Sequence, residues 1–204
     1  MLPAGGSAQL VSIGVKGGVP ITEPQRFNDE SRRYLVGPSI EFRLPLHFAV
    51  EVDALYSRVG RSYNYFFTYN VVPPGVGDAV ITTGSASVRE RGNSWEFPIL
   101  GKYYFGKTES TIRPFLGTGY AFREIWSSQE TKVSIPSSVP LNLITTTSKQ
   151  DFRSPFDVGA VFAAGVRARA GRLSILPEFR YVRWGSASTT QRKNEVKFLL
   201  GVSF

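Results

Sequence analysis

Residues Asn194–Phe204 read NEVKFLLGVSF. Val196, Phe198, Leu200, Val202 and Phe204 recur at every second position, with Glu195, Lys197, Leu199, Gly201 and Ser203 between them. A period of two belongs to an extended strand whose two faces meet different surroundings. Terminal residues commonly fray into polar disorder, so a two-faced strand running to a terminal aromatic predicts a partner strand that holds it along its whole length.

The rest of the chain is built in the same way. Its 204 residues are 42% hydrophobic with a mean hydropathy of -0.10, an average typical of soluble proteins. The average conceals the pattern. The richest apolar run, Phe156–Val166, is too short for a membrane-spanning helix, which needs roughly 20 residues, whereas a spanning strand needs about 9 to 11 and shows alternation instead. Cysteine is absent, which excludes a disulfide framework and any thiolate metal site. The net charge of +8 does not mark a nucleic-acid surface, because the Arg and Lys residues are scattered singly among aromatics and carboxylates. No nucleic-acid partner and no cofactor are expected.

Alternation places eight strands and no helix. They are Leu10–Val19, Tyr34–Arg43, His47–Ser57, Ser94–Phe105, Ile112–Trp126, Pro155–Arg169, Arg172–Trp184 and the closing segment. Three connections are tight: Leu44–Leu46, Gly106–Thr111 and Ala170–Gly171. They alternate with long ones at Pro20–Arg33, Val59–Asn93, Ser127–Ser154 and Gly185–Lys193. Strict short–long alternation is the pattern of an up-and-down barrel with its turns at one end and its loops at the other. The expected fold is therefore all-β, an eight-stranded antiparallel up-and-down transmembrane β-barrel over residues 10–204. Residues 1–9, ending in Ser7-Ala8-Gln9, read as a signal-peptide remnant or N-terminal tail. In hydrocarbon an open strand edge leaves backbone groups unpaired, so the first and last strands must pair. Pro38, Pro98, Pro114 and Pro177 fall inside strands, where proline removes a ladder donor, and local bulges or unpaired carbonyls are expected near them.

The apolar face is assigned to lipid. The opposite face then carries Lys16, Glu41, Arg43, Glu51, Asp53, Glu96, Lys102, Arg123, Asp157, Arg167, Arg169, Glu178, Arg180, Glu195 and Lys197 into the lumen. Eight strands enclose room only for side chains, so these charges are expected to form a packed salt-bridge lattice, with an ion or proton path as the alternative. Lumenal glycines, Gly117 and Gly201 among them, are expected to make room for the long cations. Two aromatic girdles are expected. Tyr34, Tyr56, Trp95, Phe122, Trp126, Phe156, Tyr181 and Trp184 fall at the long-loop end, and Phe42, Phe48, Tyr103, Phe105 and Phe204 at the short-turn end. Beyond the outer girdle Arg32, Arg33, Arg58, Arg61, Arg89, Arg91, Arg192 and Lys193 are candidates for lipopolysaccharide phosphate contacts, for which arginine offers bidentate bonds.

The segments SWEFPILGKYYF (Ser94–Phe105), IRPFLGTGYAFRE (Ile112–Glu124), SILPEFRYVRW (Ser174–Trp184) and KFLLGVSF (Lys197–Phe204) resemble outer-membrane β-barrel "porin family" proteins of the OmpA/OmpX type. The resemblance implies a bacterial outer-membrane location, with long loops extracellular and termini periplasmic. It also implies that Phe198, Leu200, Val202 and Phe204 form a C-terminal signal read by the barrel-assembly machinery. Enzymes of this architecture use histidine at the outer mouth, but the single histidine, His47, lies at the tight-turn end. No enzymatic activity is expected. The expected role is structural, or surface interaction by a monomer with an extracellular partner through the long loops, with outer-membrane lipid and lipopolysaccharide as surroundings. Two alternatives stay open: a narrow channel using the lumenal charges, and a soluble lipocalin-like carrier with the faces exchanged.

Overall fold

A computed structural model describes residues 10–22, 34–71, 80–138, 141–185 and 193–204. The strands are β1 (Val11–Pro20), β2 (Leu35–Arg43), β3 (Phe48–Asp53), β4 (Leu55–Val71), β5 (Val80–Tyr104), β6 (Ile112–Ser138), β7 (Leu141–Arg153), β8 (Asp157–Ala170), β9 (Leu173–Trp184) and β10 (Asn194–Ser203). These ten segments make eight staves. β3 and β4 pair with β5 in one unbroken register, Phe48↔Tyr103 through Val71↔Val80, and part only at Ala54. β7 and β8 likewise succeed one another along β6.

Each stave lies antiparallel beside its sequence neighbours, and β1 pairs with β10 from Gly14↔Ser203 to Pro20↔Lys197. Phe204 N donates to Ile13 O at 3.0 Å, so the ladder runs to the last residue. The barrel is closed, which satisfies the backbone groups that hydrocarbon would leave bare.

The hairpins are longer than the alternation alone marks. β4–β5 stays paired to Val71↔Val80, and β6–β7 to Ser138↔Leu141. The short-turn end is compact by contrast. In the β2–β3 turn Phe48 N donates to Pro45 O at 3.4 Å, and the two central residues, Leu46 (φ 61°) and His47 (φ 69°), are both left-handed.

The prolines interrupt the ladder without bulging it: pairing lapses beside Pro98, where β3 gives way to β4, and beside Pro177, but register is kept. Pro38, Pro98 and Pro114 sit in register opposite Val15, Ala121 and Val166. Pro177 faces Leu200 on one side; on the other, the β8–β9 pairing skips between Gly165↔Glu178 and Ala168↔Ile175 without changing register. The register shift falls elsewhere, at Ser154–Phe156: Trp126 pairs with Arg153 but Arg123 with Asp157, so three residues of one stave face two of the other. That extra residue is a bulge, and it exchanges the faces of β7 relative to β8.

Side chains sort strictly by face. Ile13, Val15, Phe42, Ile99, Leu116, Phe162, Phe179 and Leu200 are exposed on the outer wall. An apolar belt of that extent in water would drive association, and its natural surroundings are lipid. The lumen holds Lys16, Glu51, Lys102, Glu178, Arg180 and Lys197, all buried. A lipocalin-like carrier requires the reverse arrangement, an apolar cavity and a polar exterior, so that alternative falls.

The lumen is not purely polar, however. Leu100, Ala121, Val161, Ala163, Val182 and Trp184 form one buried cluster, Leu35, Leu55 and Leu199 a second, and Ala49, Tyr104 and Phe115 a third. Trp184, expected in the outer girdle, is fully buried inside. These apolar clusters are stacked between the charged groups along the bore.

Candidate functional site: a layered lumen

The lumenal charges assemble into three layers. In the middle, Lys16 from β1 donates to Glu51, to Glu178 at 3.0 Å and to Asp53 at 3.4 Å. Lys102 from β5 donates to Glu51 at 2.5 Å and Glu178 at 3.3 Å. Arg180 donates to Glu178 at 2.7 Å, Asp53 at 2.8 Å and Glu51 at 3.3 Å. Three cations thus meet three carboxylates, and no member is more than 2% exposed. Both lysine stems run close over glycines, and a larger residue there would push them aside by a few tenths of an ångström. An added Cβ on Gly117 would stand 3.2 Å from Lys102 Cγ, and one on Gly201 3.3 Å from Lys16 Cγ.

Toward the long hairpins, Arg123 pairs with Asp157 and Glu195, each at 2.9 Å. Lys197 pairs with Glu96 at 2.5 Å and Glu195 at 3.0 Å. The Arg123 guanidinium lies 3.9 Å from the centre of a Trp184 ring, a cation–π contact in a dry setting. The alternation of β9 puts the tryptophan on the lumenal face with Arg180 and Val182, and there its ring face complements an arginine that hydrocarbon would reject.

Toward the short turns, Glu41 accepts from Tyr104 Oη at 2.6 Å and lies 2.9 Å from Arg167 and 3.7 Å from Arg43. Arg169 is exposed at this mouth. Arg113, absent from the sequence-based lumenal set, also points inward and is buried. Its alternation with Phe115 and Gly117 carries that signal, masked by Pro114 beside it.

Outside the lumen, Arg58, Arg89, Arg91 and Lys193 are exposed beyond the long-loop end, and Arg61 donates to Glu90 at 3.1 Å. Arg89 stands across from Glu130 in the ladder. Arg32, Arg33 and Arg192 lie outside the described residues, as do residues 1–9. Above the barrel, Tyr63, Tyr65, Phe67 and Tyr69 form a ladder of rings with centres 6.2, 6.3 and 5.9 Å apart. Along the closing strand, Leu200, Val202 and Phe204 are exposed on the outer wall, and Phe198 meets Phe179 with ring centres 5.1 Å apart. His47 sits in the β2–β3 turn, 6.3 Å from the Tyr103 ring.

Among solved structures the chain is similar to the N-terminal β-barrel domain of Pseudomonas aeruginosa OprF, with 15% identity and a TM-score of 0.44 over 95% of both chains. It is similar to Neisserial surface protein A, with 16% identity and a TM-score of 0.46 over 95% of both. Ail, the attachment invasion locus protein of Yersinia pestis, aligns at 7% identity with a TM-score of 0.42 over 95% of this chain and 94% of that one. No curated protein matches the sequence. The family described as outer membrane protein beta-barrel domain matches residues 7–185. With that match covering most of the closed, lipid-faced barrel, the chain belongs to the outer membrane protein β-barrel domain family and resides in the bacterial outer membrane.

Proposed function

We propose that the protein is a non-conducting, non-enzymatic outer-membrane barrel that presents two stiff hairpins, β4–β5 and β6–β7, for interaction at the cell surface. The observation that carries this reading is the middle layer, where Lys16, Lys102 and Arg180 cross-brace Glu51, Asp53 and Glu178 across the whole bore. Moving an ion past it would require breaking several buried charge-assisted bonds at once. The ring ladder Tyr63–Tyr69 gives the β4–β5 hairpin an aromatic surface suited to contact with a partner. In this reading the hairpins are extracellular, the termini periplasmic, and the protein is a monomer bathed in lipid and lipopolysaccharide. Residues 10–204 form the barrel domain, preceded by a signal remnant or tail.

The test is twofold. Purified protein in a planar bilayer is expected to stay silent, and steady single-channel steps would favour the narrow-channel reading. Cells carrying a variant trimmed at both hairpins, with barrel heat-modifiability retained, are expected to lose surface binding. Unchanged binding would end the surface-interaction reading.

A further inference from the structure

Arg113 and Arg167 are direct cross-strand partners at the short-turn end of the lumen. Like charges set opposite one another in an antiparallel pair repel, and both are buried, at 9% and 3% exposure. Both guanidiniums lie 5.1 Å from the centre of the Tyr104 ring. Arg43 reaches the same layer from β2, and Arg169 stands exposed two residues beyond Arg167.

Within the layer, Glu41 is the carboxylate at ion-pair distance from Arg167 and Arg43. Its Oε1 is near Arg167 yet off the line of a hydrogen bond, and Tyr104 occupies the other oxygen. The next carboxylate up the bore, Glu51, is engaged by Lys16, Lys102 and Arg180, and Glu109 is exposed in the β5–β6 turn. Among the described residues, no acceptor reaches Arg113 Nε or Nη2, Arg167 Nε or Nη2, or Arg43 Nε. The middle layer balances three charges against three. This one sets Arg43, Arg113, Arg167 and, at the rim, Arg169 against Glu41 and the terminal carboxylate of Phe204, which accepts from Ser12 Oγ at 3.0 Å, leaving two positive charges over and a set of buried donors with nothing to donate to. Burying such donors unsatisfied is costly, and planar guanidinium forks match an oxyanion that can take several bonds at once.

We propose that the short-turn mouth binds a phosphate-class oxyanion, seated between Arg113 and Arg167 with Arg43 and Arg169 at the rim. A doubly charged phosphate matches the surplus of two, and its tetrahedral oxygens can reach forks arriving from β2, β6 and β8. The phosphate group could belong to a free ion in the aqueous phase below the mouth or to the headgroup of a lipid at its rim; the chemistry of capture is shared.

The experiment uses the full chain, delipidated and refolded in an uncharged maltoside detergent, and reads the temperature at which the folded band is lost on an unboiled gel. Inorganic phosphate is expected to raise this midpoint by about 5 to 10 °C at roughly a hundred times its dissociation constant, while sodium chloride of equal ionic strength does not. Arg113→Gln is expected to abolish the increment. Arg113→Lys, which keeps the charge but loses the fork, is expected to retain less than half of it and serves if the first variant does not fold. If the source is a headgroup, free phosphate leaves the midpoint unmoved while monomeric short-chain phosphatidic acid raises it, again dependent on Arg113. Equal shifts with chloride, no shift with either phosphate compound, or a shift that survives both Arg113 substitutions would overturn the proposal.

Discussion

Lys16 on the first stave and Glu178 on the seventh meet inside the bore at 3.0 Å, reaching past the eighth stave between them, although 162 residues separate them in the chain. Glu178 also receives Lys102 and Arg180, so a single carboxylate joins three of the eight staves.

Because the middle layer is balanced, removing one member strands its partners. Glu178→Gln is expected to destabilise the barrel by about 3 to 5 kcal/mol, the usual cost of an uncompensated buried charge, whereas replacing the layer's cations and anions together by apolar residues of similar volume is expected to cost little. Urea titrations of the refolded protein, followed by gel mobility, measure both. A Glu178→Gln barrel as stable as the parent would show that the layer is hydrated rather than dry.

The inward turn of Trp184 separates it from Trp95 and Trp126. In vesicles with brominated acyl chains, Trp126, which is 45% exposed on the outer wall, is expected to be quenched. A variant retaining only Trp184 is expected to be nearly unaffected. Strong quenching of Trp184 would place it in lipid and remove the cation–π role for Arg123.

The β2–β3 turn holds Leu46 and His47 at positive φ, a conformation costing L-residues roughly 1 to 2 kcal/mol each and suited to Asn-Gly. Leu46 is 82% exposed, so little packing is lost by changing it. The double change Leu46→Asn, His47→Gly is therefore expected to raise stability by about 1 to 3 kcal/mol in the same titration.

Arg89 and Arg91 lie exposed on one face of β5 above the outer wall. If this rim contacts lipid phosphates, reversing both to Glu is expected to reduce lipopolysaccharide co-purifying with the protein several-fold while leaving heat-modifiability intact. Mass spectrometry of the extracted lipid gives the comparison, and equal lipid content would assign them to ordinary solvated charge.

Phe204 is 64% exposed, so deleting it removes little packing, yet its backbone completes the seam with β1. If it is also read during assembly, its loss is expected to lower the inserted protein in cells at least tenfold while refolding in detergent falls less than twofold. Equal losses in both settings would leave only a packing role.

Much of this was legible from alternation, and the exceptions have causes. The alternation Val11, Ile13, Val15 against Ser12, Gly14, Lys16 is a local property of an extended chain, so each residue's face could be read before any partner was known. Pro114 hid the inward aim of Arg113, because a proline on the outer face interrupts the apolar rhythm that marks its neighbours. Alternation puts Trp184 on the lumenal face with Glu178, Arg180 and Val182, but an aromatic at a strand end also suits a lipid interface, and the expected girdle follows that second signal.

The sequence by itself determined the closed, apolar-outside barrel, since period two, short–long alternation and the need to pair every backbone group in lipid leave few other solutions. The tertiary structure alone decided which charges meet. Register around a closed barrel depends on all eight staves together, and a single extra residue, as at Ser154–Phe156, is enough to exchange faces. The balanced middle layer and the surplus of arginine below it arise from that collective register.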